Sequence, residues 1–137
     1  MEFGFNAFLK IHFIQTQISL YGQKYQKSKF KNSKMIKVIA YYKNVEGKKF
    51  DIDYYLKKHL PFVQQICGES LKKISVDRGL FGNEPNSMPV YINVTHLYFE
   101  NMDSFQSAMV PHFNKIFEDS PNFTDIEPVM QISEIIK

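Results

Sequence analysis

A chain of 137 residues with 17 basic and 14 acidic side chains, net charge +3, is long enough to bury one core and gives no sign of a second domain. A single cysteine, Cys67, excludes an internal disulfide and a cysteine-based zinc centre, and no run approaches the roughly 20 apolar residues of a membrane-spanning helix. The charge is uneven: residues 1–34 carry six lysines against Glu2 alone, whereas 13 acids face 11 bases from Met35 onward, so the folded part is mildly acidic and nucleic acid is not expected as a partner.

The leader, residues 1–34, joins a Phe- and Ile-rich stretch to the lysine-laden run QKYQKSKFKNSK. Lys10, His12 and Gln15 interrupt the apolar core that a secretory signal requires. Phe8, Ile11, Ile14 and Ile18 align as a short amphipathic helix, and the segment is expected to be poorly ordered. A mitochondrial presequence, an over-extended start with Met35 as the true first residue, and a structural arm are the three readings; the location expected is cytoplasmic, with mitochondrial targeting as the alternative.

From Met35 the pattern sharpens. Ile36 to Tyr42 is rich in branched and aromatic residues and reads as a strand ended by the glycine-containing turn KNVEGKK. Asp51 can cap a helix, with Phe50 and Tyr55 spaced as a hydrophobic staple. Ile52, Leu56, Leu60, Val63 and Ile66 then recur on one helical face. Pro61 lacks an amide and crowds the carbonyl one turn back, so a break or kink is predicted near Lys58–His59, with a restart that has Pro61 in its first turn and His59 at the irregularity. Gly68 supplies a C-terminal cap, and Cys67 reads as a small apolar filler.

Leu71 to Leu80 reads as a second strand, FGNEPNSMP as a loop, and Val90 to Phe99 as the third and longest strand. Asn101 caps a second helix whose stripe includes Met102, Phe105, Met109 and Ile116, divided or kinked by Pro111. Ile126 to Ile136 closes the chain as a strand. The order βαββαβ is the split-βαβ, ferredoxin-like arrangement: an α+β fold with a four-stranded antiparallel sheet and two helices on one face. The strands carry apolar residues on both faces, so the uncovered face needs a partner, and a second copy of the same sheet is the economical one.

The sequence FDIDYYLKKHLPFV resembles the first helix of the EthD family of small α+β proteins, through Asp51, Asp53, Tyr54, Tyr55, His59 and Pro61. SVDRGL (Ser75 to Leu80), NFTDIEPVMQISEI (Asn122 to Ile135) and MIKVIAYY at Met35 extend the resemblance across residues 35–137. It implies a homodimer closed as an α/β barrel, and a link to the breakdown of ether and aromatic-type compounds.

His59 leads the candidate catalytic residues, because imidazole exchanges protons near neutral pH and the resemblance keeps a histidine here. The alternative is a helix-end histidine bonding a carbonyl freed by Pro61. Asp77, among apolar strand residues, needs a partner: it orients His59 or forms an ion pair with Arg78 or a lysine. Candidate ligand-binding residues are Tyr41 and Tyr42, which leave the first strand on opposite faces, and His96, which is otherwise a satisfied core histidine. No nucleotide-binding or hydrolase motif occurs, and the four histidines lack metal-site spacing, so no metal and no cofactor are expected. Two functions fit: a cofactor-independent enzyme of isomerase or lyase type moving a proton on a small hydrophobic molecule, or a non-catalytic binder of such a molecule serving a catabolic route.

Overall fold

A computed structural model of the chain describes residues 2–25 and 34–137, with the side chains of the first helix described over residues 9–21. Helix α1 (Glu2–Tyr25) precedes β1 (Ile36–Lys43), α2 (Ile52–Tyr54), a π-helical stretch (Tyr55–His59), α3 (Leu60–Cys67), β2 (Leu71–Arg78), β3 (Tyr91–Phe99), α4 (Met102–Ala108), α5 (Phe113–Glu118) and β4 (Val129–Glu134). The strands form one antiparallel sheet in the order β2-β3-β1-β4, the ferredoxin-like arrangement.

Alternation along the strands sorts the two faces. Ile36 and Val38 of β1 and Leu97 and Phe99 of β3 face the helices, where they join Val63, Phe105, Met109 and Phe113 in the main core. The intervening residues, Lys37, Ile39 and Tyr41 on β1 and Val94, His96 and Tyr98 on β3, lie on the opposite face.

The expected local signals act as the residues dictate. The Asp51 carboxylate accepts from the Tyr54 amide at 3.0 Å, and Asn101 caps α4 by accepting from the Ser104 amide at 2.8 Å. Phe50 and Tyr55 meet with ring centroids 5.0 Å apart. Gly68 closes α3 at φ 59°, a conformation that glycine reaches without a Cβ clash. Pro111 divides the second helical segment into α4 and α5 through a short 3-10 turn, Val110–His112.

Pro61 lies in the first turn of α3, as expected, and the irregularity before it is a widened turn in which the Leu60 amide bonds the Tyr55 carbonyl, five residues back. The wider turn moves backbone carbonyls away from the proline ring and shifts the helical register. Tyr55 and His59 therefore join Leu60, Val63 and Cys67 on the buried side, while Leu56, expected on that side, is 46% exposed.

Within the leader, Glu2–Tyr25 forms the helix α1. Ile11, Ile14 and Ile18 pack against the main core, with Ile18 buried, so the apolar stripe finds a surface that the isolated segment lacks. Lys10 pairs with Glu127 and donates to the Pro128 carbonyl at 3.3 Å. α1 thus belongs to the helix side of the sheet, and among the described residues no helix covers the other face. Most of the lysine-laden run, residues 26–33, lies outside the described residues.

A set of hydrogen bonds joins the segment before α2 to the segment before β4. The Asp51 amide donates to the Phe123 carbonyl at 2.7 Å, the Lys49 amide to the Asp125 carboxylate at 2.8 Å, and the Thr124 hydroxyl to the Lys49 carbonyl at 2.7 Å while accepting from the Ile126 amide at 3.0 Å. Thr124 is 1% exposed, so Thr124→Val takes this partner from the buried Ile126 amide and from the part-buried Lys49 carbonyl. The expected loss is roughly 1–3 kcal/mol for the buried amide and less for the carbonyl, read as a lower midpoint in urea unfolding; an unchanged midpoint would show that these bonds do not hold the two segments together.

Candidate active site

The widened turn aims two rings inward. Tyr55 and His59 are 2% and 4% exposed and stack with centroids 5.3 Å apart, and Phe123 packs 4.5 Å from the imidazole. On the other side, the turn after α5 presents Asp119. Its Oδ2 lies 2.7 Å from His59 Nδ1, while Oδ1 accepts from the Tyr54 hydroxyl at 2.8 Å and the Asn122 amide at 2.9 Å. Every partner of the carboxylate is thus a donor. That arrangement fixes the imidazole tautomer: Nδ1 carries the proton and donates, and Nε2 is left with its lone pair for a ligand.

The electrostatics agree with this assignment. Burial lowers the His59 pKa below its ordinary 6.5, and the hydrogen bond and charge of Asp119 offset that only in part. Burial alone would raise the Asp119 carboxyl, yet the donors Asn122, His59 and Tyr54 outweigh it and hold the pKa below the usual value. At neutral pH the pair is therefore a carboxylate and a neutral imidazole. Burial pushes the Tyr55 phenol up to about 12 and raises Tyr42 well above its ordinary value, so neither tyrosine supplies a base.

His59, Tyr42, Tyr55, Thr95 and Ser120 line a cavity of about 40 Å³ between the sheet and the helices, completed by aliphatic residues such as Val63 and Met130. The Tyr55 hydroxyl donates to Thr95 Oγ1 at 2.7 Å, which donates to Asn93 Oδ1 at 2.9 Å, and the Asn93 amide nitrogen is buried without a partner. The cavity can hold one functional group beside a base and hydroxyl donors, which is the equipment for moving a proton.

The structure separates the residues singled out from the sequence. His59 and Tyr42 share this cavity. Asp77, Tyr41 and His96 lie on the open sheet face, where His96 Nε2 is 2.9 Å from Asp77 Oδ2 and Tyr41 packs against Tyr91 with centroids 5.1 Å apart. Asp77 therefore partners His96 and not His59, because the sheet lies between them. Asp119 was missed: it stands 60 residues from His59, and nothing in EDSPNF marks it as a histidine partner. Tyr54 and Tyr55 stand out within the D-x-D-Y-Y stretch, but their hydroxyl bonds to Asp119 and Thr95 are not legible there. Cys67 is a core residue whose thiol pKa burial raises to about 11. Among the described residues, no three His, Cys, Asp or Glu side chains gather to hold a metal, and no helix is long and apolar enough to cross a membrane.

The EthD domain model matches residues 47–127, which contain both members of the pair. The chain belongs to the EthD family. An EthD-like protein from Ralstonia eutropha JMP134, known from a crystal structure, is 34% identical; the match covers 77% of this chain and 95% of that one, with a TM-score of 0.72. An ethyl tert-butyl ether D (EthD) family protein from Bacillus halodurans C-125 shares the fold at 21% identity and a TM-score of 0.53, over 74% of this chain and 99% of that one. No curated protein matches the chain significantly.

The His59 environment in this EthD protein carries a pH signature. A histidine whose pKa is lower folded than unfolded contributes stability that is complete above the unfolded value and is lost as pH falls through the folded one. The melting temperature is therefore expected to fall as pH drops from about 6.5 toward the lowered pKa of His59. In His59→Gln this part of the slope should flatten. A wild-type slope retained in full by His59→Gln would place the acid-sensitive group elsewhere.

Proposed function

We propose that this EthD protein is a cofactor-independent enzyme that moves a proton on a small, mostly apolar molecule, with His59 as the base and Asp119 as the residue that positions it. The observation that carries the reading is the 2.7 Å contact between Asp119 Oδ2 and His59 Nδ1 beside a small, largely apolar cavity. His59 Nε2 takes the proton, the imidazolium is stabilised by the carboxylate, and the same nitrogen returns the proton to another atom of the substrate. Isomerisation, dehydration and related eliminations need no more than this. The family of the Bacillus protein is named for ethyl tert-butyl ether, and ether or aromatic-type compounds are the substrate class we propose to test first.

We extend the reading to a homodimer formed through the open sheet face. Val129 on that face is 61% exposed, and the loop beside β2 and β3 exposes Leu80, Phe81 and Met88 by 73%, 77% and 73%. Apolar surface of this extent favours a second copy. Tyr41, His96 and Asp77 are then interface residues rather than ligand contacts.

Screening hydrophobic carbonyl, ether and phenolic compounds by ligand-observed NMR, followed by turnover assays of the compounds that bind, tests the enzyme reading. His59→Ala should lower turnover by about 10²–10⁴-fold. Asp119→Asn should lower it less and move the acid limb of the pH profile, because it removes the charge that offsets burial. Binding without turnover in the wild type, unchanged by either variant, would leave a non-catalytic binder.

For the assembly, sedimentation equilibrium should report twice the chain mass of 16.1 kDa. Val94→Asp, which adds a charge beside Asp77 on the open face, should shift the protein toward the monomer. A wild type that stays monomeric at micromolar concentration would remove the dimer.

A further inference from the structure

The cavity beside His59 is too small for a whole substrate: about 40 Å³, against the roughly 300–1,000 Å³ of ordinary small-molecule sites. A much larger space adjoins it. Between α1 and the sheet lies an apolar groove of about 390 Å³, lined by Ile14 and Ile18 of α1 with Ile36, Met102 and Ile132 across from them. Met130 lines both the groove and the His59 cavity. Its side chain is half-buried and unbranched, the kind that changes rotamer at little cost. The ion pair of Lys10 with Glu127 and the Lys10 bond to the Pro128 carbonyl hold α1 in place over this region. Gln17 is exposed where α1 borders the groove.

We infer that the groove under α1 holds the apolar tail of the ligand whose polar head sits at His59, with Met130 as the movable wall between the two spaces. The ligand class is an uncharged, elongated molecule: one polar head on an alkyl or alkyl-aryl chain. The placement of the head rests on the function proposed above, whereas the placement of the tail rests on the groove alone. The leader helix, on this account, is part of the binding site.

A series of para-alkylphenols with ethyl, butyl, hexyl and octyl chains, measured by calorimetry on the full chain, tests the inference. Each added methylene should tighten binding by about threefold to fourfold until the groove is filled. The chain contains no tryptophan, so Gln17→Trp both narrows the groove and reports on it. In that variant the gain with chain length should stop early, and the emission should shift to the blue on adding the hexyl compound. Met102→Phe narrows the same groove from the other side and should also flatten the series. No gain with chain length in the wild type, or the same gain in both variants, overturns the inference. His59→Ala separates the two readings: it should weaken every member by a similar factor and keep the slope. Unchanged affinities in His59→Ala, with the slope and its loss in Gln17→Trp intact, would sink the role of His59 and leave the groove standing.

Discussion

The missing amide of Pro61 is the constraint on which the site depends. A regular α-helix through this position would drive the proline ring toward a carbonyl of the preceding turn, at roughly 3 kcal/mol. The widened turn from Tyr55 to His59 avoids that contact while keeping the backbone helical throughout. Its consequence is rotational: it brings Tyr55 and His59 onto the buried side together and turns Leu56 to solvent. Irregular turns of this kind recur at functional sites because they re-aim side chains without ending a helix.

A buried imidazole is useful only if something holds it, and that partner comes from the far end of the chain. Asp119 is held by Tyr54 and Asn122 as well as His59, so it remains a carboxylate although burial opposes the charge. The Lys49, Asp51 and Thr124 bonds tie the start of α2 to the segment after Asp119 and fix the distance between the two halves of the pair. Site geometry and stability are therefore coupled, since loosening this seam moves Asp119 relative to His59.

The sheet divides two chemistries. On the helix side, a neutral imidazole, phenols and a hydroxyl surround a small cavity, and α1 extends that side with an apolar groove. On the other side, His96 and Asp77 pair among apolar and aromatic residues on the face proposed above for a second copy. His96 keeps one buried ring nitrogen without a partner there, whereas His59 has its Nδ1 committed to Asp119. Two histidines that look alike in the sequence thus occupy unlike environments.

The amino-acid sequence by itself determined the element order, the Asp51 and Asn101 caps, the Phe50–Tyr55 staple, the glycine stop at Gly68 and the placement of His59 at an irregular turn. These are local: each depends on residues within one or two turns, where spacing is a direct readout of contact. It also determined that Tyr41 and Tyr42 part company, because successive strand residues face opposite ways. Only the tertiary structure decided that Asp119, not Asp77, meets His59, that Tyr42 and not Tyr41 joins it, and that the leader packs as a helix over the core. Those outcomes turn on which sheet face the helices cover and on which distant turn lies beside α2. Both are set by burial summed over the whole fold, a quantity that no short window of residues contains.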